Sequence, residues 1–247
     1  MQAAALAASG EFGEEDFMDY ASVMAQLKKL GTAQTVKTYA RHGAMKSFGV
    51  SFAEIYKLQK QIKQDHALAE KLWASGYTEA QVLGALVADP SKVTPSQAAK
   101  WIKGAASYMP CDYLAGLIAK SSIAHGIMQK WMDSPKELIR TTGYQMLAIM
   151  LRDRAPVPDA DCRRILQTIE KEIHFSPNRA RYAMNNALIA IGSLPALNAE
   201  ALAAARRIGK VEVDHGDTSC KTPDAVAAIP KALAWQQKRK KSKAATA

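Results

Sequence analysis

The chain has 247 residues, is 48% hydrophobic, has a mean hydropathy of −0.18 and carries a net charge of +10 with a pI of about 9.5. That length allows one large domain or two small ones with a real core, and no apolar run is long enough to span a bilayer. The three cysteines, Cys111, Cys162 and Cys220, are odd in number and far apart, which excludes a disulfide framework and points to a cytoplasmic protein. Five cations, Lys238, Arg239, Lys240, Lys241 and Lys243, crowd the C-terminus, and without them the charge is still +5. A basic balance fits a nucleic acid or another polyanion, with a solvated basic surface as the competing reading.

Residues 1–10 read as disordered, 11–236 as a single helical-repeat domain, and 237–247 as a basic disordered tail. Met1 to Ala8 lack the basic and long apolar regions of a secretory signal. An acidic run, Glu11, Glu14, Glu15, Asp16 and Asp19, leads into Tyr20, Val23, Met24, Leu27 and Leu30. This spacing predicts an amphipathic helix with acid at its start, closed at Gly31. After Gly49 helix starts follow in series. Ser51-Phe52-Ala53-Glu54 has the capping-box pattern, with Ile55, Leu58 and Ile62 behind it. Ala67 to Trp73 predicts a short helix closed by Ser75-Gly76, and Thr78-Glu79-Ala80-Gln81 predicts a cap for the next. Thr94-Pro95, Ser134-Pro135, Ser176-Pro177 and Thr222-Pro223 each set a capping residue before a proline. The one β-like stretch, Lys210-Val211-Glu212-Val213, is too short for a sheet.

The pattern predicts an all-α protein of roughly a dozen short helices joined by short connections, packing as antiparallel pairs. The pairs recur near the ~40-residue rhythm of HEAT-like repeats. The expected architecture is an α-solenoid, or superhelix, with a compact bundle as the alternative.

Ser107-Tyr108-Met109-Pro110-Cys111-Asp112-Tyr113-Leu114 opens a long apolar-striped segment near the middle of the chain. Asp112 is placed at or near a helix N-terminus, just after Pro110. A carboxylate in a first turn interacts well with the helix dipole. Tyr108, four residues earlier, shares its face if the turn between them is helical. An aromatic surface beside a lone carboxylate suits a cationic or electron-poor group. The two readings of Asp112, helix stabiliser and chemical group, both stand at this level.

A wider succession surrounds that stretch. Val50-Ser51-Phe52-Ala53-Glu54-Ile55 is followed by Ala69-Glu70-Lys71-Leu72-Trp73, then Ala88-Asp89-Pro90, Trp101-Ile102 and Cys111-Asp112. Trp131, Ser134-Pro135-Lys136-Glu137-Leu138-Ile139-Arg140 and Asn178-Arg179-Ala180-Arg181-Tyr182-Ala183-Met184-Asn185-Asn186 complete it. In order and spacing this resembles the AlkD-like DNA alkylation repair family, the HEAT-like-repeat DNA glycosylases, over roughly residues 45–235, most of the chain on the scale of a domain. The resemblance implies a C-shaped α-solenoid whose concave basic face grips duplex DNA, and excision of N3- or N7-alkylated purines. Such a base already carries positive charge and leaves without a strong general acid, so the remaining task is to stabilise an oxocarbenium-like sugar. By resemblance Asp112 is the catalytic carboxylate, Tyr108 and Trp101 flank the substrate, and Arg140 contacts DNA. Arg179, Arg181 and Asn186 are expected at the DNA backbone. Asn186 stands where active relatives carry a late Trp, and Ile189 at a position that is basic in them. The partner expected is duplex DNA, possibly alkylated, bound by a monomer. A non-catalytic DNA-binding module and a protein-interaction scaffold are the rival readings.

Gly209 to Pro223 gathers Asp214, His215, Asp217 and Cys220 between helices. The spacing matches no strong metal pattern, and Asx turns account for the composition. No metal is expected there, and no cofactor is expected anywhere. No Gly-rich phosphate loop occurs, so no nucleotide cofactor is expected.

Overall fold

The computed structural model describes residues 18–245, with side chains through Arg239; the expected disorder of residues 1–10 and most of the acidic run lie outside them. Among the described residues the chain is all-helical, with thirteen α-helices and two short 3₁₀ turns. Helices α1 (Tyr20–Leu30) and α2 (Ala33–Arg41) lead in. An inner layer follows: α3 (Phe52–Ile62), α5 (Thr78–Val87), α7 (Tyr108–Ile118), α9 (Glu137–Asp153), α11 (Asn178–Gly192) and α13 (Ala225–Ala245), each packed on the next. Behind it lie α4 (His66–Ala74), α6 (Pro95–Lys103), α8 (Ala124–Met132), α10 (Asp159–Glu172) and α12 (Asn198–Ile208), each against the inner helix that follows it. This alternation of outer and inner helices is the HEAT-like solenoid that the helix rhythm predicts.

Local signals set most helix ends. Asp19, Thr32, Ser51, Asp65 and Thr94 each accept a hydrogen bond from the first turn of their own helix, as N-caps do. Other ends differ from the sequence reading. At Thr222-Pro223 the cap is Asp224, whose Oδ1 accepts from the Ala227 N–H at 2.9 Å, while Thr222 bonds to His215 instead. Helix α9 starts only at Glu137, with no side-chain cap of its own. Helix α2 carries no signal strong enough for the sequence reading to find it. Where a disordered tail is expected from residue 237, α13 continues as helix to Ala245; Lys, Arg and Ala are good helix formers and no glycine or proline intervenes. Lys210 to Val213 forms no strand.

The largest departure is at α5. Thr78 does not cap it; Tyr77 holds the N-cap position and the Thr78 hydroxyl is buried without a partner. Glu79, with no exposed surface, turns away from its own helix. Its carboxylate accepts from Ser47 Oγ at 2.5 Å and from the backbone N–H groups of Phe48 (3.1 Å), Gly49 (2.6 Å) and Val50 (3.1 Å). The loop can wrap the carboxylate because Gly49 takes a φ of +80°, and a Cβ there would meet Thr32 O at 2.3 Å. Two residues on, buried Gln81 donates to the carbonyls of Trp73 (3.1 Å) and Gly104 (2.7 Å) and accepts from the Ala106 N–H at 2.8 Å. One helical turn therefore anchors the segment after α2 and the turn that enters α7.

Glu79→Gln keeps the shape but aims an amide donor at a cluster of donors. Leaving buried donors unmet costs on the order of 3 kcal/mol. Urea denaturation is expected to show that loss of stability with an unchanged m-value.

Candidate nucleic-acid interface on the inner helical layer

Helix α7 starts earlier than expected. Ser107 is its extended N-cap and Tyr108 its first residue, so Pro110 sits third, where its missing N–H breaks no helical hydrogen bond. Asp112 is thus fifth, beyond the first turn, and the dipole reading loses most of its force. Tyr108 and Asp112 do share a face, as the spacing predicts. Cys111 between them points inward; it is buried, donates to Ser107 O at 3.3 Å, and burial pushes its thiol up to about 12. A thiol so protonated is no nucleophile.

Arg179, the second residue of α11, completes the cluster. Its backbone N–H donates to Glu137 Oε1 at 2.7 Å, so the first side chain of α9 caps α11 across the layer. Its guanidinium lies 3.5 Å from the centroid of the Tyr108 ring, a cation–π contact. The Tyr108 hydroxyl meets His42 Nδ1 at 2.5 Å. Burial raises the phenol and lowers the imidazole, with Arg179 and Arg41 lowering the imidazole further. Burial thus favours the neutral form of both groups, which suits a hydrogen bond between them.

Asp112 is half-buried and receives no hydrogen bond among the described residues. Desolvation pushes its carboxyl up to about 7, against the opposing pull of Arg179. Next to it the Tyr113 hydroxyl lies 2.9 Å from that of Tyr56, and its ring stacks on Phe52. The late loop closes the other side. Asn178 bonds the backbone of Asp214 twice, at 2.7 and 2.8 Å, and His215 meets Tyr182 edge-on with centroids 5.4 Å apart. Exposed Cys220 lies near enough to Tyr108 to affect its titration. Among the described residues no three His, Cys, Asp or Glu side chains converge as a metal set.

The structure thus brings Asp112, Tyr108 and Arg179 together. Trp101 is corrected: it is 3% exposed and stacks on Trp73 at 4.7 Å, with its carbonyl accepting from Trp73 Nε1. It is a buried residue whose remaining surface lines a cavity with Trp73 and Gln97, a cavity to which α7 contributes no residue. Arg140 is not a free cation, since Glu172 pairs with its guanidinium, and its Nε is buried without a partner. Arg181 makes one long contact to Asn178 at 3.4 Å, and its Nε also lacks a partner. Asn186 lies two turns beyond Arg179 on the same face of α11 and lines a separate cavity. Sequence reasoning missed His42, Tyr56, Glu137 and Tyr182. Only Glu137 carries a signal, its place three residues after Ser134, and that spacing points to its own helix rather than to α11.

A family model described as DNA alkylation repair enzyme matches residues 23–212. Two uncharacterized bacterial proteins, Lin0241 of Listeria innocua and Lmo0209 of Listeria monocytogenes, are each 30% identical over 215 residues, covering 84% of this chain and 94% of their own. A solved structure at 32% identity matches with a TM-score of 0.80, over 88% of this chain and 95% of that one. It represents a family of proteins related to the HEAT-like repeat DNA glycosylases with affinity for branched DNA structures. No described helix is long and apolar enough to cross a membrane.

A carboxyl pushed up to about 7 in the folded chain, from 3.8, is favourable to folding when neutral. Its contribution is complete below about pH 4 and is lost as pH rises through 7. Asp112→Asn removes that loss. Thermal melts are expected to show the variant more stable than wild type at pH 8, with the difference vanishing near pH 4.

Proposed function

We propose that this chain, which belongs to the DNA alkylation repair enzyme family, binds branched duplex DNA along its inner helical layer with Arg179 as a phosphate anchor. The observation that carries this is the guanidinium held on the Tyr108 ring beside a carboxyl pushed up to about 7. A fixed cation at the centre of the cluster suits a phosphate oxygen. It opposes the positive charge of an alkylpurine and of the sugar cation left when the base departs. An approaching phosphate raises the Asp112 carboxyl further, and the protonated acid then donates a hydrogen bond rather than repelling. The affinity of the 32%-identical relative for branched DNA supports the same reading. Arg181, with an unpartnered Nε, is a second phosphate contact. Arg140 joins only if phosphate displaces Glu172.

The second reading is excision of an N3- or N7-alkylated purine, and the observation favouring it is Asp112 itself. The carboxyl receives no hydrogen bond among the described residues and shares the face of Tyr108, with Arg179 the one cation acting on its charge. In that role it stabilises the oxocarbenium-like sugar while water takes the place of the departing base.

Two measurements separate the readings. Binding to a four-way junction is expected to exceed binding to linear duplex of the same length and to fall steeply with salt. Arg179→Ala weakens it, whereas Asp112→Asn holds or raises it, most clearly at pH 8 where the wild-type carboxyl is charged. Equal affinity for both DNAs would refute branch recognition. Single-turnover release of 7-methylguanine from alkylated duplex by wild type, lost in Asp112→Asn by on the order of 10²–10³-fold, would establish excision instead.

A further inference from the structure

A cavity of about 230 Å³ lies between α9, α11 and α13, on the inner layer. It is smaller than the ~300 Å³ and upward of pockets that take drug-sized ligands, which suits a single heteroaromatic ring. Its walls combine three kinds of group. Ile149 and Ile189 are apolar, Gln145 and Asn186 carry amides, and Trp235 supplies an aromatic surface. Neither amide hydrogen-bonds to any described residue, and both are half-buried. Trp235 is 47% exposed, while Trp73, Trp101 and Trp131 are at most 4% exposed. The open indole offers a stacking face, and the two amides beside it offer donors and acceptors that no described residue uses.

The mouth is cationic. Arg152 lines the cavity, and Arg239 lies over the Trp235 ring at 4.6 Å. Hydrogen bonding from Arg152, aided by the charges of Arg152, Arg239 and Lys120, holds Asp153 below the usual carboxylate range despite its partial burial. The walls are also fixed in place. Gln236 donates to the carbonyls of Leu151 and Arg152 at 3.2 Å each, and Arg154 bonds back to Gln236 at 3.3 and 2.6 Å. Asn186 follows Arg179 by two turns on one helix face, roughly 10 Å along the axis.

We propose, resting on the branch-binding function above, that this cavity receives an unpaired nucleobase of the DNA, stacked on Trp235 and read along its edge by Gln145 and Asn186. Arg239 holds a flanking phosphate, and Arg152, paired with Asp153 through two hydrogen bonds, joins only if phosphate displaces that carboxylate. Stacking tolerates any base because every base has a π-face, and amides offer both a donor and an acceptor to a base edge.

Trp235 is the exposed tryptophan among the described residues, so its fluorescence reports on the cavity. A short single-stranded oligothymidine is expected to quench wild-type emission saturably. An abasic strand of equal length leaves it unquenched, and Trp235→Phe abolishes the quench while retaining binding. Trp235→Ala weakens oligonucleotide binding about 5- to 150-fold, with circular dichroism and melting unchanged. An absent quench, a quench persisting in Trp235→Phe, or equal quenching by the abasic strand would overturn the proposal. Junction preference without a Trp235-dependent quench refutes the cavity alone. A Trp235-dependent quench without junction preference refutes branch recognition and leaves the cavity as a single-strand site.

Discussion

The architecture depends on a buried carboxylate. No cation pairs with Glu79 among the described residues, and its charge is met by one hydroxyl and three backbone N–H groups of the 47–50 loop. A buried charge is tolerated only when such donors surround it. Gln81 does the same for the turn before α7 with a neutral amide. Because both side chains come from a single turn of α5, the segment bearing His42 and the segment bearing Tyr108 are held to the same rigid helix. The 2.5 Å contact between His42 and Tyr108 follows from that shared anchor.

On this frame the cluster is electrostatically unbalanced by design of its surroundings. Arg179 is oriented twice, by Glu137 at its backbone and by the Tyr108 ring at its side chain. Asp112 is oriented by nothing but its helix, and burial works against its charge. A structural carboxylate gathers donors, as Glu79 does. The contrast between these two acids is the physical ground for treating one as scaffold and the other as function.

The C-terminal helix extends the inner layer by a similar capping device. The last carbonyls of α9 lie beyond the helical ladder, where Leu151 O has the Arg154 N–H of the cap as its local partner. Gln236 and Arg239 of α13 bond to them, at 3.2 and 3.1 Å. Helix termination and placement of Trp235 are therefore one interaction. The face of α11 bearing Arg179, Tyr182, Asn186 and Ile189 runs between the two ends, so the anchor and the cavity belong to a continuous surface.

The sequence by itself determined what is local. Helical periodicity and caps such as Ser51 and Thr94 act within a few residues, so the helices, their rhythm and the solenoid were legible, as was the shared face of Tyr108 and Asp112. Caps failed where the side chain found a distant use. Glu79 and Glu137 read as first-turn residues of their own helices, yet one holds a loop and the other caps α11. Charge type was likewise legible while charge pairing was not. Arg140 and Arg179 look alike in sequence, but packing sets Glu172 against the first and an aromatic ring against the second. Trp101 reads as a substrate aromatic until the approach of α4 stacks Trp73 on it. Such choices belong to the tertiary structure alone, because burial and partner geometry arise only when helices far apart in the chain are brought into contact.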